Sequence, residues 1–436
     1  NTESMVLEMR KMKDSGIEWI GAIPEGWETI NPKALFAQRK DRASKGERQL
    51  TSSQQYGILY QDEYMELTGS KVVTVEKDFD ILKHVEAGDF VISMRSFQGG
   101  LEYSTKSGAI SSAYVMLVPN LELVYPRFFR WLLKSSVYID ALQRTTNMVR
   151  DGQAMRYSNF AQVRLFILPL DEQKSRADFL DVKCSSIDKI LSKTRASIEE
   201  YKKLKQAVIT QAVTKGVRGE REMKDSGVDW IGEIPKEFDS VQLKFFCKLI
   251  TDGTHFSPVT VENGFPYITA GDVHGIGLDY NSAKRISEED FQLLVAQGCQ
   301  PLKGDVLLVK DGATTGRVGF VDSDTPCVIL SSVAMLRPAD NTDGHYLMYL
   351  LASDFLQKQI LVSMAGSAMP RTTLTKLTKY IGLFPPLHEQ KEIADYLDAK
   401  CAEIDKLIAK KEQLVKELES YKKSLIYEVV TGKREV

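Results

Sequence analysis

The sequence predicts a mixed α+β chain: two tandem domains joined by two long antiparallel helices that form a coiled coil, with pseudo-two-fold symmetry. Three observations predict it. Two separate segments recur in the same order about half a chain apart. Each repeat ends in an uninterrupted heptad seam. The stretches between them alternate β-branched runs with amphipathic ones.

The first recurrence is Met12-Lys-Asp-Ser-Gly-Ile-Glu-Trp-Ile-Gly-Ala-Ile-Pro24. It returns as Met223-Lys-Asp-Ser-Gly-Val-Asp-Trp-Ile-Gly-Glu-Ile-Pro235, with 10 of 13 residues identical at an offset of 211. The second runs from Asp171 to Ile190 and returns from His388 to Leu407, with 12 of 20 identical at an offset of 217. Two blocks in one order mean a tandem duplication of a unit about half the chain long. Between them, residues 25–170 and 236–387 share only hints, such as Gly88-Asp89 against Gly304-Asp305 and Ser111-Ser112 against Ser331-Ser332. A common frame around dissimilar interiors points to two readers with different targets. Neutral drift of loops is the plainer alternative.

The tails read as helices. Ile187, Leu191, Thr194, Ile198, Tyr201, Lys205, Val208 and Ala212 follow alternating spacings of four and three. That is an a/d seam. Adding 217 gives Ile404, Ile408, Lys411, Val415, Leu418, Lys422, Leu425 and Val429. Neither run contains Pro or Gly. Asp171 is a candidate N-cap, and Gly216 and Gly432 mark the C-terminal stops. Each helix is expected to span ~40 residues, or about 60 Å. The seam lysines either set register or snorkel from an exposed face. The two helices are the matching apolar stripes of this length, so they are expected to pair with each other. Thr431-Gly-Lys-Arg434 resembles the linker beginning at Thr214, which suggests a closed layout.

In the interiors, residues 89–94, 114–118, 305–309 and 327–330 read as strands. Residues 126–142 and 344–361 read as helices. Glycine-rich turns fall at 96–100 and 310–317.

Composition excludes several classes. The 436 residues carry 57 Lys+Arg and 59 Asp+Glu, a net charge of −2, so this is not a protein that coats nucleic acid by charge alone. No apolar run approaches the ~18 residues of a membrane span. No signal-like segment opens the sequence. The five cysteines, Cys184, Cys247, Cys299, Cys327 and Cys401, are widely spaced and include no CxxC, so neither a disulfide framework nor a zinc site is expected, and a reducing cytoplasm is the default compartment. The five histidines do not pair at i,i+4, and no metal is expected. Gly312 to Gly316 is one residue short of a phosphate loop and is followed by Arg317. Phe384-Pro-Pro-Leu387 has Phe where a methyltransferase motif needs a polar residue. No nucleophile sits in a triad context, so no catalytic residue is assigned.

Trp19-Ile-Gly-x-Ile-Pro24, Trp230-Ile-Gly-x-Ile-Pro235, Leu170-Asp-Glu-Gln173 and Leu387-His-Glu-Gln390, with the long helix after each interior, together resemble the specificity (S) subunit of Type I restriction–modification enzymes. The resemblance covers essentially the whole chain. One departure is Phe238, where the first half has Trp27; both are expected to pack. The resemblance implies a non-catalytic, DNA-binding cytoplasmic subunit. It divides the chain into a conserved segment at 1–24, target recognition domain 1 at 25–170 and a conserved helix at 171–218. A linker at 219–235, target recognition domain 2 at 236–387 and a second conserved helix at 388–436 follow. Each domain would read half of a bipartite double-stranded DNA site, and the helices would set the spacer. Two modification (M) subunits carrying S-adenosylmethionine and two restriction (R) subunits using ATP and Mg2+ would join it. No cofactor is expected on this chain and no membrane is involved. The competing readings are a non-DNA coiled-coil scaffold and a stand-alone methyltransferase or nuclease.

Net charge does not locate the DNA contacts. Residues 25–170 balance at +2 (18 basic, 16 acidic) and residues 236–387 at −3 (13 basic, 16 acidic). Local patches must therefore carry them. Arg and Asn can bond guanine and adenine bidentately in the major groove. The candidates are Arg95, Arg144, Asn147, Arg150, Arg156 and Tyr157 in the first domain. In the second they are Lys310, Thr314, Thr315, Arg317, Arg371, Thr372 and Thr373. The plainer reading of each is a solvated surface residue. Trp19 and Trp230 are expected to pack, and Cys184 and Cys401 to lie buried on the seam.

Overall fold

A computed structural model describes residues 10–75, 79–94, 96–145, 155–228, 230–364 and 370–436. Two compact units emerge, Asn1–Thr194 with Gln413–Val436, and Arg195–Glu412. The division cuts both long helices, Leu170–Lys215 (46 residues) and Leu387–Val430 (44 residues). Each unit therefore takes part of both helices.

In the first unit, Met12–Asp14 pairs antiparallel with Ala22–Pro24, and Glu28–Ile30 with Leu165–Ile167. The central antiparallel sheet has the order Phe36–Arg39, Val115–Pro119, Phe90–Ile92, Glu102–Tyr103. Phe36 is fully buried and meets Phe90, Phe129 and Phe160 edge-on at 5.4, 5.5 and 5.7 Å. Rings in that geometry add to burial worth roughly 1.5–3 kcal/mol per side chain.

The second unit repeats this plan. Met223–Asp225 pairs with Glu233–Pro235, and Asp239–Gln242 with Ile381–Phe384. Its central antiparallel sheet runs Cys247–Asp252, Val333–Pro338, Val306–Val309, Val318–Phe320. The aspartates of the two Gly-Asp hints do the same work. Asp89 and Asp305 are each 2 % exposed. Asp89 accepts from Arg39 at 2.6 Å, and Asp305 from Arg337 at 2.8 Å. The units differ beside the sheet: the first has a hairpin, Leu50–Ser53 with Gly57–Tyr60, and the second a four-stranded sheet containing Phe265–Ile268.

The expected interior helices each break in two. Pro126–Leu132 is followed by Ser136–Arg144, and Gly344–Ala352 by Asp354–Ser363. Ser135 and Ser353 adopt extended backbone, and each hydroxyl donates back to the carbonyl three residues earlier, at 2.7 and 2.6 Å. Serine offers the backbone this alternative, which apolar periodicity does not register. Ser96–Gly99 is a short helix rather than the expected turn.

Within each unit the two long-helix segments run antiparallel. In the first, Lys422 donates to Asp188 and Arg176 to the Val429 carbonyl, and Ile187, Leu191, Leu425 and Val429 share one buried cluster. In the second, Lys205 donates to Asp405 and Lys411 lies over the Tyr201 ring at 5.5 Å. Of the seam residues, Ile187, Leu191, Ile198, Ile404 and Leu425 are buried; Tyr201, Val208, Ile408, Val415 and Leu418 are half-buried. The stripe also extends upstream, through buried Ala177, Leu180 and Cys184 and through Ala394, Leu397 and Cys401. Burial pushes the Cys184 thiol up to about 11. Asp171 lies inside the first helical turn rather than capping it, where a carboxylate still favours the helix dipole. Gly216 and Gly432 follow the helix ends at φ 73° and 75°, the left-handed conformation of a C-terminal stop.

Candidate nucleic-acid interface

Each unit anchors its entrance segment through one carboxylate, half-buried at Glu172 and buried at Glu389. Glu172 accepts from Arg10 at 3.0 Å, Arg176 at 2.6 Å and Trp27 Nε1 at 3.0 Å. Although burial pushes its carboxyl up, those three donors hold it down at about 2. Glu389 occupies the same place, 1 % exposed, and accepts from Arg221, whose guanidinium lies 5.0 Å over Phe238. Trp27 and Phe238 are both fully buried, and Trp27 adds a hydrogen bond that Phe cannot make. Gln173 and Gln390 act alike: each side-chain oxygen accepts one backbone N–H, from Tyr125 or Asp343, and each amide donates to two carbonyls. The repeated sequence blocks thus form the frame that fixes each interior.

The sheet topology places the remaining functional candidates. In the second unit, strands Cys247–Asp252 and Val306–Val309 end, and Val318–Phe320 and Val333–Pro338 begin, at one edge of the central sheet. Loops 253–259, 310–317 and 331–332 therefore share that edge. Segment 370–373 joins them, because Asp311 bridges Arg371 and Gly312 N–H donates to the Pro370 carbonyl at 2.9 Å. Arg317, Arg371 and Thr373 are exposed, and Thr314 and Thr315 half-buried.

Two candidates lie elsewhere in the packing. Lys310 is 3 % exposed and bonds Asp252 and Asp311 at 3.3 and 2.8 Å. Thr372 is fully buried and bonded to Tyr380 Oη at 2.6 Å. Neither side chain faces solvent. Both brace the loops that carry Arg317 and Arg371, because a buried polar group is retained only with its partners.

In the first unit the corresponding edge holds loops 40–49, 93–101 and 111–114. Arg144 is 66 % exposed on its side chain and pairs with Glu18 at 2.8 Å. Arg156 is exposed and precedes the short helix Tyr157–Gln162, as Arg371 precedes Leu374–Leu377. Tyr157 instead donates to the Phe36 carbonyl at 3.0 Å and packs on the core, a structural anchor. Arg95, Asn147 and Arg150 lie outside the described residues. Sequence reasoning missed the basic run Arg39-Lys40-Asp-Arg42-Ala-Ser-Lys45, in which Lys40, Arg42 and Lys45 are exposed; its signal was basic clustering directly after a strand. Trp19 packs on Tyr138 at 5.7 Å, but Trp230 is 58 % exposed, since Leu356 and Leu383 replace the partner rings Tyr138 and Phe166.

The family model of the Type I restriction modification DNA specificity domain matches residues 235–417. The chain is 24 % identical to the Type I restriction enzyme MjaVIII specificity subunit of Methanocaldococcus jannaschii, over 98 % of each chain. It is also 24 % identical to the EcoBI specificity subunit of Escherichia coli, covering 64 % of this chain and 60 % of that one. Residues 235–417 thus carry the likeness to the Type I DNA specificity domain, and the likeness to the MjaVIII specificity subunit runs over nearly the whole chain. Its fold matches a chain solved in work on complex assembly and conformational transition of the type I R-M system, with TM-score 0.70 and 16 % identity over 94 % of this chain and 99 % of that one. The HsdS subunit of Thermoanaerobacter tengcongensis matches at TM-score 0.51 and 17 % identity, over 94 % and 98 %. Among the described residues, no helix is long and apolar enough to cross a membrane, and no His, Cys, Asp and Glu cluster has metal-site geometry.

Proposed function

We propose that this chain is the non-catalytic, DNA-recognising specificity subunit of a Type I restriction–modification complex, and that it reads a bipartite duplex, one half-site per unit, through the loop-bearing edge of each central sheet. The observation that carries the reading is the repeated frame. The same sheet order and the same carboxylate–arginine anchor recur in both units, while the edge loops differ in length and sequence. Two copies of one scaffold with different loops are what two different half-sites require.

Arg144, Arg156, Arg317, Arg371, Thr314, Thr315 and Thr373 are proposed to contact DNA, with Arg95, Asn147 and Arg150 retained as candidates. Exposed arginines beside hydroxyl donors suit a mixture of base-edge and phosphate contacts. The long helices set the untouched spacer and dock two M subunits, the repeated segments offering each the same surface. The M subunits carry S-adenosylmethionine and methylate adenine. Two R subunits, using ATP and Mg2+, complete the restriction assembly in the cytoplasm.

The spacer role is tested by inserting one heptad into each helix, near Lys193 and Lys410, and mapping methylated adenines. The gap between half-sites lengthens if the helices measure it. An unchanged gap refutes that role.

A further inference from the structure

Resting on the reading above, we propose that loop 253–257 of the second unit is a rigid specificity element and that Phe256 reads a thymine methyl group in the major groove. Its backbone is fixed by close approach. A Cβ at Gly253 would lie 1.9 Å from the Ile329 carbonyl oxygen, so only glycine fits there. Thr254 is 5 % exposed. Its N–H donates to the Ile329 carbonyl at 3.1 Å, its own carbonyl accepts from Ser331 N–H at 2.9 Å, and its Oγ1 accepts from Phe256 N–H at 2.9 Å. Tyr267 Oη donates to the Phe256 carbonyl at 3.3 Å, and Pro258 is buried.

This bracing leaves His255, Phe256 and Ser257 exposed. A large apolar ring left exposed on a loop braced at Thr254 and Phe256 does not serve the core. Phe256 is 49 % exposed, so the residue is partly covered by protein rather than freely projecting. A wedge between base steps needs a freely projecting side chain, whereas a contact with the thymine methyl needs one face only. Exposed Arg317, and Arg371, which is exposed while paired with Asp311 at 2.9 Å, lie on loops of the same sheet edge, where a guanidinium can hold a phosphate backbone in register. Preordering the loop spares the entropy of fixing it on binding.

The test uses the full chain assembled with its M subunits, on duplexes carrying the wild-type methylated target. Thymines in both half-sites are replaced singly by deoxyuridine, which removes only the methyl. Wild type is expected to lose roughly fourfold in methylation at one thymine, the value of one methyl taken from water. Phe256→Ala is expected to treat thymine and deoxyuridine alike there, and Phe256→Leu to retain part of the preference. A Phe256→Ala complex that keeps the wild-type ratio overturns the inference and leaves the two-reader function standing. So does a wild type that responds to no deoxyuridine. If Phe256→Ala methylates nothing, the Phe256→Leu ratio decides: a value equal to that of wild type at every position refutes the contact. A wild-type complex that ignores base changes in both half-sites removes the two-reader reading itself, and this inference with it.

Discussion

Lys205 donates to Asp405 at 2.6 Å, from one long helix to the other within the second unit. Lys422 meets Asp188 at 2.6 Å in the first, and both members of that pair stand 217 positions from their counterparts. The two seam lysines therefore act as register pins: each finds the one aspartate that its duplicate supplies. Adjacent turns of the seam are apolar, so a slipped register would leave the ammonium facing an apolar seam residue instead of its aspartate.

A charge reversal exposes this pairing. Lys422→Asp is expected to lower stability by about 1 kcal/mol, because it removes the pair and sets two carboxylates together. Adding Asp188→Lys should return most of the loss in urea unfolding. Single-mutant effects that simply add would contradict the pairing.

Glu172 predicts a pH dependence. Its folded-state value of about 2 lies below the ordinary 4.5, so the stabilisation is present above about 4.5 and is lost as pH falls through about 2. Urea unfolding of wild type should weaken across that window. Glu172→Gln is expected to cost roughly 2 kcal/mol at neutral pH and to flatten the decline. Parallel pH profiles for the two proteins would refute the assignment.

Lys310 and Arg317 separate bracing from reading. Lys310→Ala should cost about 3 kcal/mol by leaving Asp252 without its buried cation, while Asp311 keeps only Arg371 at 2.9 Å. Arg317→Ala should leave stability within about 0.5 kcal/mol and weaken target binding by the complex roughly tenfold. Melting curves and binding at fixed salt check both. The reverse pattern would interchange their roles.

The frame was legible in the sequence because duplication and heptads are periodic signals that burial enforces along many residues. Leu191 and Leu425 had to be apolar wherever the interiors drifted. The breaks at Ser135 and Ser353 were not legible, because one side-chain-to-backbone hydrogen bond overrides helical periodicity locally. Nor was the burial of Lys310, which depends on Asp252, an acid 58 positions away that only the strand pairing brings near. His255 and Phe256 escaped notice because a short aromatic loop has no period. What marks them is exposure on a braced backbone, a property of the fold.

The most direct measurement exchanges residues 25–170 for those of another specificity subunit, assembles the chain with its M subunits and maps every methylated adenine. The account predicts that one half-site changes while the other half-site and the gap between them stay fixed. Alteration of both half-sites, or of neither, would contradict it.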